Sequence, residues 1–328
     1  MEFFNPNSNV NFMGIRRVTV TISVILMLVS IISLCTRGLN FGLDFTGGSL
    51  VEVGFAQATE QSDVQKALEK AGFKSPVVQR YDSKDFSIRL GPSEGEGPAI
   101  KGEAAAGDEN RIDSRSARIT ARVGKALADA GHPANVKPSV YVGPQVGKEL
   151  ATTGLVAVFL VLVGIMGYIA IRFEWRFAAA TVLTEFHDVI LTLGFFSLTG
   201  LEFDLTVLAA VLAVDGYSVN DTIVVFDRVR ELFRSTRREG PLEILNRAVN
   251  NTLSRTIMTS LATMVTVVAL FFFGGQSLHG FSIALIVGII VGTLSSIFFA
   301  CPMLHIFGVS KQDLMPKLRD EAELARRP

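Results

Sequence analysis

Cysteine is scarce in this sequence: Cys35 and Cys301 occur alone among the 328 residues, each at the end of an apolar stretch. Two isolated cysteines argue against a disulfide framework and against a cysteine metal site, and two small buried side chains are the simpler interpretation. The four histidines are scattered, without the spacing of metal ligands. A metalloprotease HExxH, a dinucleotide-binding GxGxxG and a hydrolase nucleophile elbow are missing as well. The sequence therefore predicts no enzyme, no metal site and no bound cofactor.

A net charge is also lacking, because 31 basic residues balance 31 acidic ones. No overall bias therefore points to nucleic acid or to an acidic ligand. What the sequence has in excess is apolar residues, which make up 49% of the chain and give it a mean hydropathy of +0.40. They are gathered into long blocks, which is typical of an integral membrane protein.

Apolar stretches long enough to cross about 30 Å of hydrocarbon as helices occur at several places. They cover residues 18–36, 151–171, 177–199, 205–226, 256–273 and 281–304. The first is preceded by two arginines but followed by no small-residue cleavage site, so we interpret it as a retained helix rather than a signal peptide. Residues 1–37 then hold the amino terminus and the first span, and residues 151–304 hold the other five.

Basic residues flank the short loops unevenly. Arg172 and Arg176 join the second and third spans, and further arginines crowd between the fourth and fifth, whereas loops 199–204 and 274–280 have neither Lys nor Arg. Basic residues concentrate on the cytoplasmic side of a membrane protein. Both termini, with the tail 305–328, are therefore predicted to be cytoplasmic, and residues 38–150 extracytoplasmic.

The extracytoplasmic segment 38–150 has the pattern of a small α+β domain. Strands and helices are predicted in the order β-α-β-β-α-β, which suggests a ferredoxin-like fold. Their ranges are 49–55, 61–71, 77–81, 86–90, 112–130 and 135–142. Residues 91–110, rich in Gly, Ala and Glu, are predicted to be a flexible insertion.

Two successive glycines, Gly47 and Gly48, follow the first span. They allow backbone conformations closed to other residues, so we predict a tight elbow that joins the domain to the membrane, with a structural role for Asp44. Residues 142–150 form the matching elbow on return. Within them, residues 143–148 fall one residue short of a phosphate-binding loop, and we expect no nucleotide there.

Carboxyl groups inside membrane-spanning helices are costly and therefore indicate function. In the fourth span, Asp215, Ser218, Asp221 and Thr222 share one face at 100° per residue, whereas Asn220 points elsewhere. Similar polar faces occur in the third span, at Thr181, Thr184, Glu185, Asp188 and Thr192, and in the fifth, at Arg255, Thr259, Thr263 and Thr266. We expect these faces to turn toward one another, or toward a partner, around a hydrated path.

Asp221 and Arg255 are the candidate proton-switching pair. Asp221 lies five residues before the end of the fourth span, roughly 7.5 Å along a helix, and Arg255 stands at the start of the fifth, so both should lie at similar depth. Dry surroundings favour the protonated carboxyl, and a nearby guanidinium, which does not titrate, favours the carboxylate. Separation of the two would let Asp221 take up a proton. A static interhelical ion pair is the alternative.

Asp188 and Asp215 are the next candidates for the proton relay. For Asp188 a structural hydrogen-bonding role is an equal alternative, and Asp215 could serve the path from the outer side. His187 points away from the polar face of its helix and is expected to pack or to form a hydrogen bond.

Two further pairs of residues have structural interpretations. Asp227 and Arg228 mark the cytoplasmic end of the fourth span, where solvated charges with i,i+3 pairs are expected. Gly288 and Gly292 in the sixth span have the small-xxx-small spacing that permits close helix packing.

Four motifs occur in the right order along essentially the whole chain and together resemble one family. They are residues 41–48, 186–188, 216–231, which include Gly216, Asn220, Asp227 and Arg228, and 251–256. The set is similar to the SecD/SecF family of bacterial protein-export membrane proteins, and within it to the smaller member of the pair. The resemblance implies a six-helix core of the resistance-nodulation-division (RND) type, which is half of a pseudo-symmetric twelve-helix unit. It also assigns the proton-relay aspartate and arginine to the positions of Asp221 and Arg255.

The resemblance further implies a function and partners. The chain is expected to be an auxiliary subunit of the Sec translocase in the bacterial inner membrane, paired with SecD, accompanied by YajC and associated with the SecYEG channel. With protons as the coupling ion, it would use the proton motive force to pull preproteins outward after the SecA ATPase has pushed them in. Two alternatives stay open: an RND-type proton-coupled exporter of small molecules or lipids, and a passive assembly subunit.

Overall fold

The computed structural model describes residues 10–74, 76–92, 108–236 and 239–310. They divide into two compact units. A helical unit contains the chain up to Asn40, Val158–Leu201 and the residues from Thr206 onward, and an α+β unit contains Phe41–Ala157 and Glu202–Leu205. Most of the predicted insertion 91–110, and the predicted cytoplasmic tail after residue 310, lie outside the described residues.

The first half of the chain forms one long helix and then the α+β unit. A 3₁₀ turn, Met13–Ile15, leads into α1 (Arg16–Thr36). The elements that follow are β1 (Asn40–Phe41), α2 (Leu43–Thr46), β2 (Gly48–Phe55), α3 (Gln61–Lys70), β3 (Val77–Arg80), β4 (Asp85–Leu90), α4 (Asp108–Asp129), β5 (Ala134–Val136) and β6 (Val140–Val142).

The second half of the chain is mostly helical. Its elements are α5 (Pro144–Arg172), α6 (Trp175–Thr199), β7 (Glu202–Phe203), α7 (Leu205–Ser235), α8 (Pro241–Phe273), a 3₁₀ turn Gln276–Leu278, α9 (His279–Ser295), a π turn Ser296–Ala300 and α10 (Cys301–Ile306). Within the described part of the chain, six helices are long and apolar enough to cross a membrane, counting α9 to α10 as one. This matches the six spans that the sequence predicted.

The α+β unit has the ferredoxin-like arrangement that the order of its elements predicted. The strand order is β3–β4–β2–β5, with β6 also on β2, and every pair is antiparallel. Val51 lies opposite Ile88 across β2 and β4. Because side chains alternate along a strand, Val51, Val53 and Ile88 share the buried face, where they form one core with Leu68 of α3 and Leu127 of α4. The prediction of a ferredoxin-like domain is therefore confirmed.

The last strand of this sheet is divided, contrary to the predicted continuous strand 135–142. Its two parts, β5 and β6, pair with opposite ends of β2. Pro138 lies in the gap and has no amide hydrogen to donate to a strand ladder. Ser139 binds α4 instead: its amide donates to Thr120 Oγ1 at 3.0 Å, and its hydroxyl lies 2.9 Å from Ser116 Oγ.

The glycine elbow after α1 has a steric cause. Gly47 and Gly48 have φ angles of 68° and 127°, in the region that favours glycine. A Cβ atom on Gly48 would overlap the carbonyl oxygen of Leu90 in the adjacent strand. A Cβ atom on Gly147, near the start of α5, would lie 3.0 Å from Gly47 N. The outgoing and returning elbows therefore pack against each other.

Small residues bring α1 close to α6 in the helical unit. A Cβ atom on Gly194 would overlap Ser30, and Ser33 Oγ lies 2.8 Å from Ser197 Oγ. Between helices in lipid there is no hydrophobic driving force, so close packing and hydroxyl contacts of this kind provide the attraction.

Close packing at small residues also joins α7 to α9. A Cβ atom on Gly288 would overlap Val214, and one on Gly292 would lie 3.0 Å from Ser218 Oγ. The predicted packing role of Gly288 and Gly292 is confirmed, and α7 is the helix against which they pack.

Two helices continue well beyond the predicted spans. α7 runs to Ser235 rather than ending at residue 226, and α8 begins at Pro241 rather than at residue 256. Proline suits the first turn of a helix because its missing amide hydrogen would have no acceptor there. The Glu243 carboxylate accepts a hydrogen bond from the Gly240 amide at 3.1 Å, which stabilises this early start.

The sixth span contains an irregular turn that the apolar pattern did not predict. Ser296–Ala300 forms a π turn just before Pro302. Because Pro302 has no amide hydrogen, the carbonyl of Phe298 has no helical donor four residues later. That carbonyl accepts from Thr19 Oγ1 of α1 at 3.0 Å instead.

Gly48→Ala is expected to weaken the sheet. The added methyl group would meet the Leu90 carbonyl at an unfavourable φ, so we expect the α+β unit to lose about 2–4 kcal/mol of stability. Hydrogen exchange of the β2 and β4 amides in the full chain measures this loss. Gly72→Ala is the matched control, because Gly72 has a φ of 85° with open space around it and should cost only about 1 kcal/mol. Equal protection in the two variants would contradict the steric argument.

Candidate functional site

The polar faces predicted on the third and fourth spans are buried inside the helical unit. Their members are Thr181, Thr184, Glu185, Asp188 and Thr192 on α6 and Asp215, Ser218, Asp221 and Thr222 on α7. None of these residues is more than 4% exposed. Asn220 is exposed, as its angular position on the helix predicted. The two buried faces supply the polar groups from which the site is built.

Asp188 connects three helices through its carboxyl group. Its Oδ2 atom accepts from Ser218 Oγ of α7 at 2.5 Å and from Ser295 Oγ of α9 at 2.7 Å. Its Oδ1 atom lies 2.8 Å from Nδ1 of His187. A buried carboxyl with three partners is well satisfied. This arrangement fits the structural role that the sequence left open for Asp188 beside a relay role.

The π turn of the sixth span positions two of these contacts. Ser295 is the last residue before the turn, and Phe299 within it stacks on the imidazole of His187 with ring centroids 4.3 Å apart. His187 thus both packs and forms a hydrogen bond, as predicted. Sequence reasoning missed Ser295 and Phe299, although Pro302 was a signal that the helix is irregular at this point.

Asp221 is buried but poorly satisfied. It is 3% exposed, and its Oδ2 atom has no hydrogen-bond partner among the residues described. Ser260 of α8 is near enough to interact with its carboxyl. The Ser260 hydroxyl is itself 2.8 Å from Thr293 Oγ1 and receives a bond from Tyr217 at 3.3 Å. Buried polar groups without partners are rare, so Asp221 calls for an explanation.

Arg255 does not pair with Asp221 in this structure. Its side chain is exposed on the surface of the helical unit, and no ion pair joins it to Asp221 in the described ranges. Its positive charge nevertheless acts on the Asp221 carboxyl. A static ion pair between these two residues, the alternative raised by the sequence, is absent from the conformation described.

The polar face predicted on the fifth span lies mostly at the surface, not in the core with the other two. Arg255, Thr259 and Thr266 are exposed, and the threonine hydroxyls donate to carbonyls one turn earlier in α8. The sequence predicted that this face turns either toward the other helices or toward a partner. Within this chain it does not turn toward the other helices, so that part of the prediction is wrong.

A second polar line on α8 faces the core instead. It consists of Thr252, Thr256 and Ser260, which follow one another at intervals of four residues and are at most 7% exposed. Thr256 Oγ1, like Thr222 Oγ1 of α7, is buried without a partner in the part of the chain that the structure describes. The four-residue spacing of this line is present in the sequence. The prediction was instead based on the neighbouring line, because that one contains the charged residue Arg255.

Asp215 lies beside Glu185, which sequence reasoning placed on the polar face of its helix but not in the relay. Both carboxyl groups line one small cavity between α5, α6 and α7. This pair is separate from the Asp188 contacts, although the charge of Asp188 acts on both groups.

The far end of α7 carries the predicted charged pairs. Arg228 binds Glu231 at 2.6 Å and Asp227 lies 3.6 Å from Arg230, which confirms pairing at i,i+3. Asp227 also binds Arg172 at the end of α5 at 3.2 Å. Of the two other motif residues on α7, Gly216 is exposed like Asn220.

Asp44 in the first elbow has a defined contact. Its Oδ2 atom accepts from the amide of Leu205, the first residue of α7, at 3.1 Å. The first amides of a helix have no acceptor within the helix, and a carboxylate there also interacts favourably with the helix dipole. This contact is of the structural kind expected for Asp44.

In the α+β unit, burial shifts the pKa values of Glu202 and Tyr81. Burial raises the pKa of the Glu202 carboxyl, against the opposing effect of the Arg89 guanidinium 3.4 Å away. Burial, with help from the negative charge of Glu202, raises the pKa of Tyr81 to about 12.

Possible metal ligands lie at most in pairs in the described residues. In the described part of the chain, no three His, Cys, Asp or Glu residues come together as metal ligands do. The Asp188 carboxyl contacts two serine hydroxyls and the His187 imidazole, the Asp215 carboxyl lies beside that of Glu185, and the Asp221 carboxyl lies near the Ser260 hydroxyl. Such an arrangement can hold, release or exchange protons.

Comparison with known families gives two matches. Residues 122–310 match the family described as protein export membrane protein SecD/SecF, C-terminal, and residues 32–59 match the SecD/SecF GG motif. The second match contains the glycine elbow, and the first contains all the buried carboxyl groups of the helices.

Similar proteins are found over almost the full length of the chain. The protein translocase subunit SecF of Pseudomonas aeruginosa is 45% identical over 94% of both chains, and that of Escherichia coli O157:H7 is 39% identical over 94% of this chain and 90% of the other. Among solved structures, SecDF of Thermus thermophilus, a translocon-associated membrane protein, superposes with a TM-score of 0.78 at 34% identity. The superposition covers 93% of this chain, which spans 39% of that longer chain.

Ser295→Ala is expected to destabilise the helical unit. Asp188 would lose one of its three partners inside the core, at a cost of about 1–2 kcal/mol. Thermal unfolding of the full chain in lipid nanodiscs measures the change. Ser296→Ala is the matched control: Ser296 is equally buried but bonds only to the Thr293 carbonyl of its own helix. If both variants unfolded at the same temperature, the Asp188 contact would not carry the stability assigned to it.

Proposed function

The chain belongs to the SecD/SecF family of protein-export membrane proteins, and on that premise we propose that it is a SecF-type auxiliary subunit of the bacterial Sec translocase, driven by proton binding at Asp221. It spans the cytoplasmic membrane, with both termini in the cytoplasm and the α+β unit in the periplasm. It acts on preproteins in transit and performs no covalent chemistry.

The state of Asp221 is the observation that supports this proposal most directly. Its carboxyl group is buried in a helix that crosses the membrane, with one oxygen unpartnered among the described residues and a cation, Arg255, displaced to the surface. An ionised carboxyl in such a place is costly, whereas a protonated one is not. The conformation described therefore suits Asp221 with a proton bound.

The reverse state follows from the same two residues. If Arg255 moves inward, its charge favours the carboxylate and Asp221 releases its proton; arginine keeps its own proton throughout. Alternation between the two states moves one proton per cycle. One elementary charge crossing 100 mV provides about 2.3 kcal/mol, which is the free energy that each such proton makes available for moving a hinged domain.

The exposed polar face of α8 supports a partner within the membrane. The charge of Arg255 is costly to expose to lipid, and Thr259 and Thr266 extend the same exposed face of α8. A polar helix of a partner beside this face would lower that cost. The solved relative whose name is SecDF is more than twice as long as the part this chain matches. We assign SecD as the partner that covers this face, with YajC and the SecYEG channel in the wider assembly and SecA acting earlier on the same preprotein.

Asp221→Asn is expected to abolish the stimulation of export by a proton gradient. Asparagine keeps the size of the side chain but cannot bind or release a proton, so the cycle stops while the protein stays assembled. Export of a preprotein into inverted membrane vesicles, with and without an uncoupler, measures the loss. Asp227→Asn is the matched control, because Asp227 is a half-exposed carboxyl on the same helix, and it should keep most of the stimulation. Gradient-stimulated export at the normal rate by the Asp221 variant would defeat the proposal.

Thr259→Cys is expected to cross-link to the SecD partner. The variant is made in a chain whose Cys35 and Cys301 are replaced by serine, and a short bifunctional reagent is applied to membranes that contain a cysteine series in SecD. Ser260→Cys, one residue along the same helix but only 7% exposed, should give no product. Cross-linking at both positions, or at neither, would show that this face of α8 is not the one SecD covers.

A further inference from the structure

The cavity between α5, α6 and α7 contains two carboxyl groups that the proposed switch does not use. Glu185 and Asp215 both line it, and they are 4% and 1% exposed. None of their four oxygen atoms has a hydrogen-bond partner in the described ranges of the chain. Asp188, one turn along α6, has by contrast three partners, so burial in this helix does not by itself leave a carboxyl group without partners.

The rest of the cavity offers nothing that could neutralise two negative charges. The other lining residues are apolar: Leu162, Ile165, Met166, Ile169, Val182 and Phe186. The charged group that acts on both carboxyls is Asp188, which is itself acidic. The side of the cavity formed by α5 contributes no titratable residue.

The size of the cavity limits what it can hold. Its volume of about 10 Å³ is at the lower limit for a single water molecule. One water cannot solvate two carboxylates, and a metal cation of the alkali or alkaline-earth kind prefers six or more oxygen ligands, of which the cavity supplies at most four. A proton is the cation that fits, because two adjacent carboxyl groups can share it in a hydrogen bond of their own.

We propose that Glu185 and Asp215 form a second proton-binding site, in which the two carboxyl groups retain one proton at neutral pH. Asp215 precedes Asp221 by six residues, so the site lies roughly 9 Å away along α7. The idea that this site passes protons on to Asp221 rests on the proposed function. The retention of the proton does not, because it follows from burial and from the charges that surround the pair.

Infrared spectroscopy of the full chain in lipid nanodiscs tests this site without any export assay. Exposed Asp and Glu side chains are ionised at pH 7, since their ordinary pKa values are about 4. The wild-type protein should therefore show, at pH 7, the carbonyl absorption of a protonated carboxylic acid in a dry environment, with the shift that deuterium oxide produces. Absence of this absorption would overturn the proposal.

Substitutions that preserve side-chain size assign the absorption. In Glu185→Gln and in Asp215→Asn one acid remains beside an amide, so the band should persist at a shifted frequency. In the double variant the contribution of the pair should be lost. A band that is unchanged in both single variants belongs to another group and refutes the assignment. The comparison of the single variants with the wild-type protein remains valid even if the double variant does not fold.

Two further measurements distinguish this proton site from a sodium site and from a site that depends on Asp221. Replacement of sodium by potassium should leave the band unchanged; a band that decreases as sodium is added would show a sodium site instead and refute the proposal. Asp221→Asn should retain the contribution of the pair, and its loss in that variant would refute an independent second site. Export by Asp221→Asn tests the proposed function alone, so the two ideas can fail separately.

Discussion

A carboxyl group in a dry helix bundle needs either hydrogen-bond donors or a proton, and the helical unit depends on how each of its acidic residues meets that requirement. Asp188 has donors from two neighbouring helices and a contact with His187. Asp221 and the Glu185–Asp215 pair have unpartnered oxygens within the described residues. The same helices thus contain one carboxyl group that links three helices and others whose cost of burial is low only when they are protonated. The first kind fixes a geometry, and the second kind is able to bind a proton.

The contacts of Asp188 exist only because α7 and α9 approach each other closely. Gly288 and Gly292 leave no side chain between the helices, so Val214 and Ser218 can lie directly against α9. Ser218 then reaches Asp188 from one side while Ser295 reaches it from the other. The π turn that Pro302 imposes begins immediately after Ser295 and places Phe299 on His187. One junction of three helices therefore depends on the small residues Gly288 and Gly292, on Pro302 and on Asp188.

Much of this architecture could be predicted from the sequence, and the exceptions have physical reasons. The six spans and the ferredoxin-like order follow from apolar length and periodicity. The burial of the faces around Asp188 and Asp221 follows from the cost of exposing carboxyl groups to lipid. Periodicity gives the angle between residues on one helix, but not which side of that helix faces the protein. The line through Arg255 was therefore a reasonable candidate for the core, although the line through Thr256 is the one buried. The partners of Asp188 come from residues 30 and 107 positions away, and no single sequence reveals such pairings.

The polar contacts between the helices differ in strength. Asp188 ties α6, α7 and α9 together through bonds to a buried acid, which are worth about 1.5–3 kcal/mol each when that acid is charged. α8 is joined to α7 and α9 through the hydroxyl contacts of Ser260 with Tyr217 and Thr293, and neutral contacts of this kind average about 0.6 kcal/mol in membranes. Among these polar contacts, those that hold α8 to α7 are therefore weaker than those that hold α7 to α6. Because α8 contains Arg255 and α7 contains Asp221, the weaker junction is also the one whose movement changes the distance between the cation and the acid. A partner that binds the exposed face of α8 would therefore act on the helix that the weaker polar contacts hold in place.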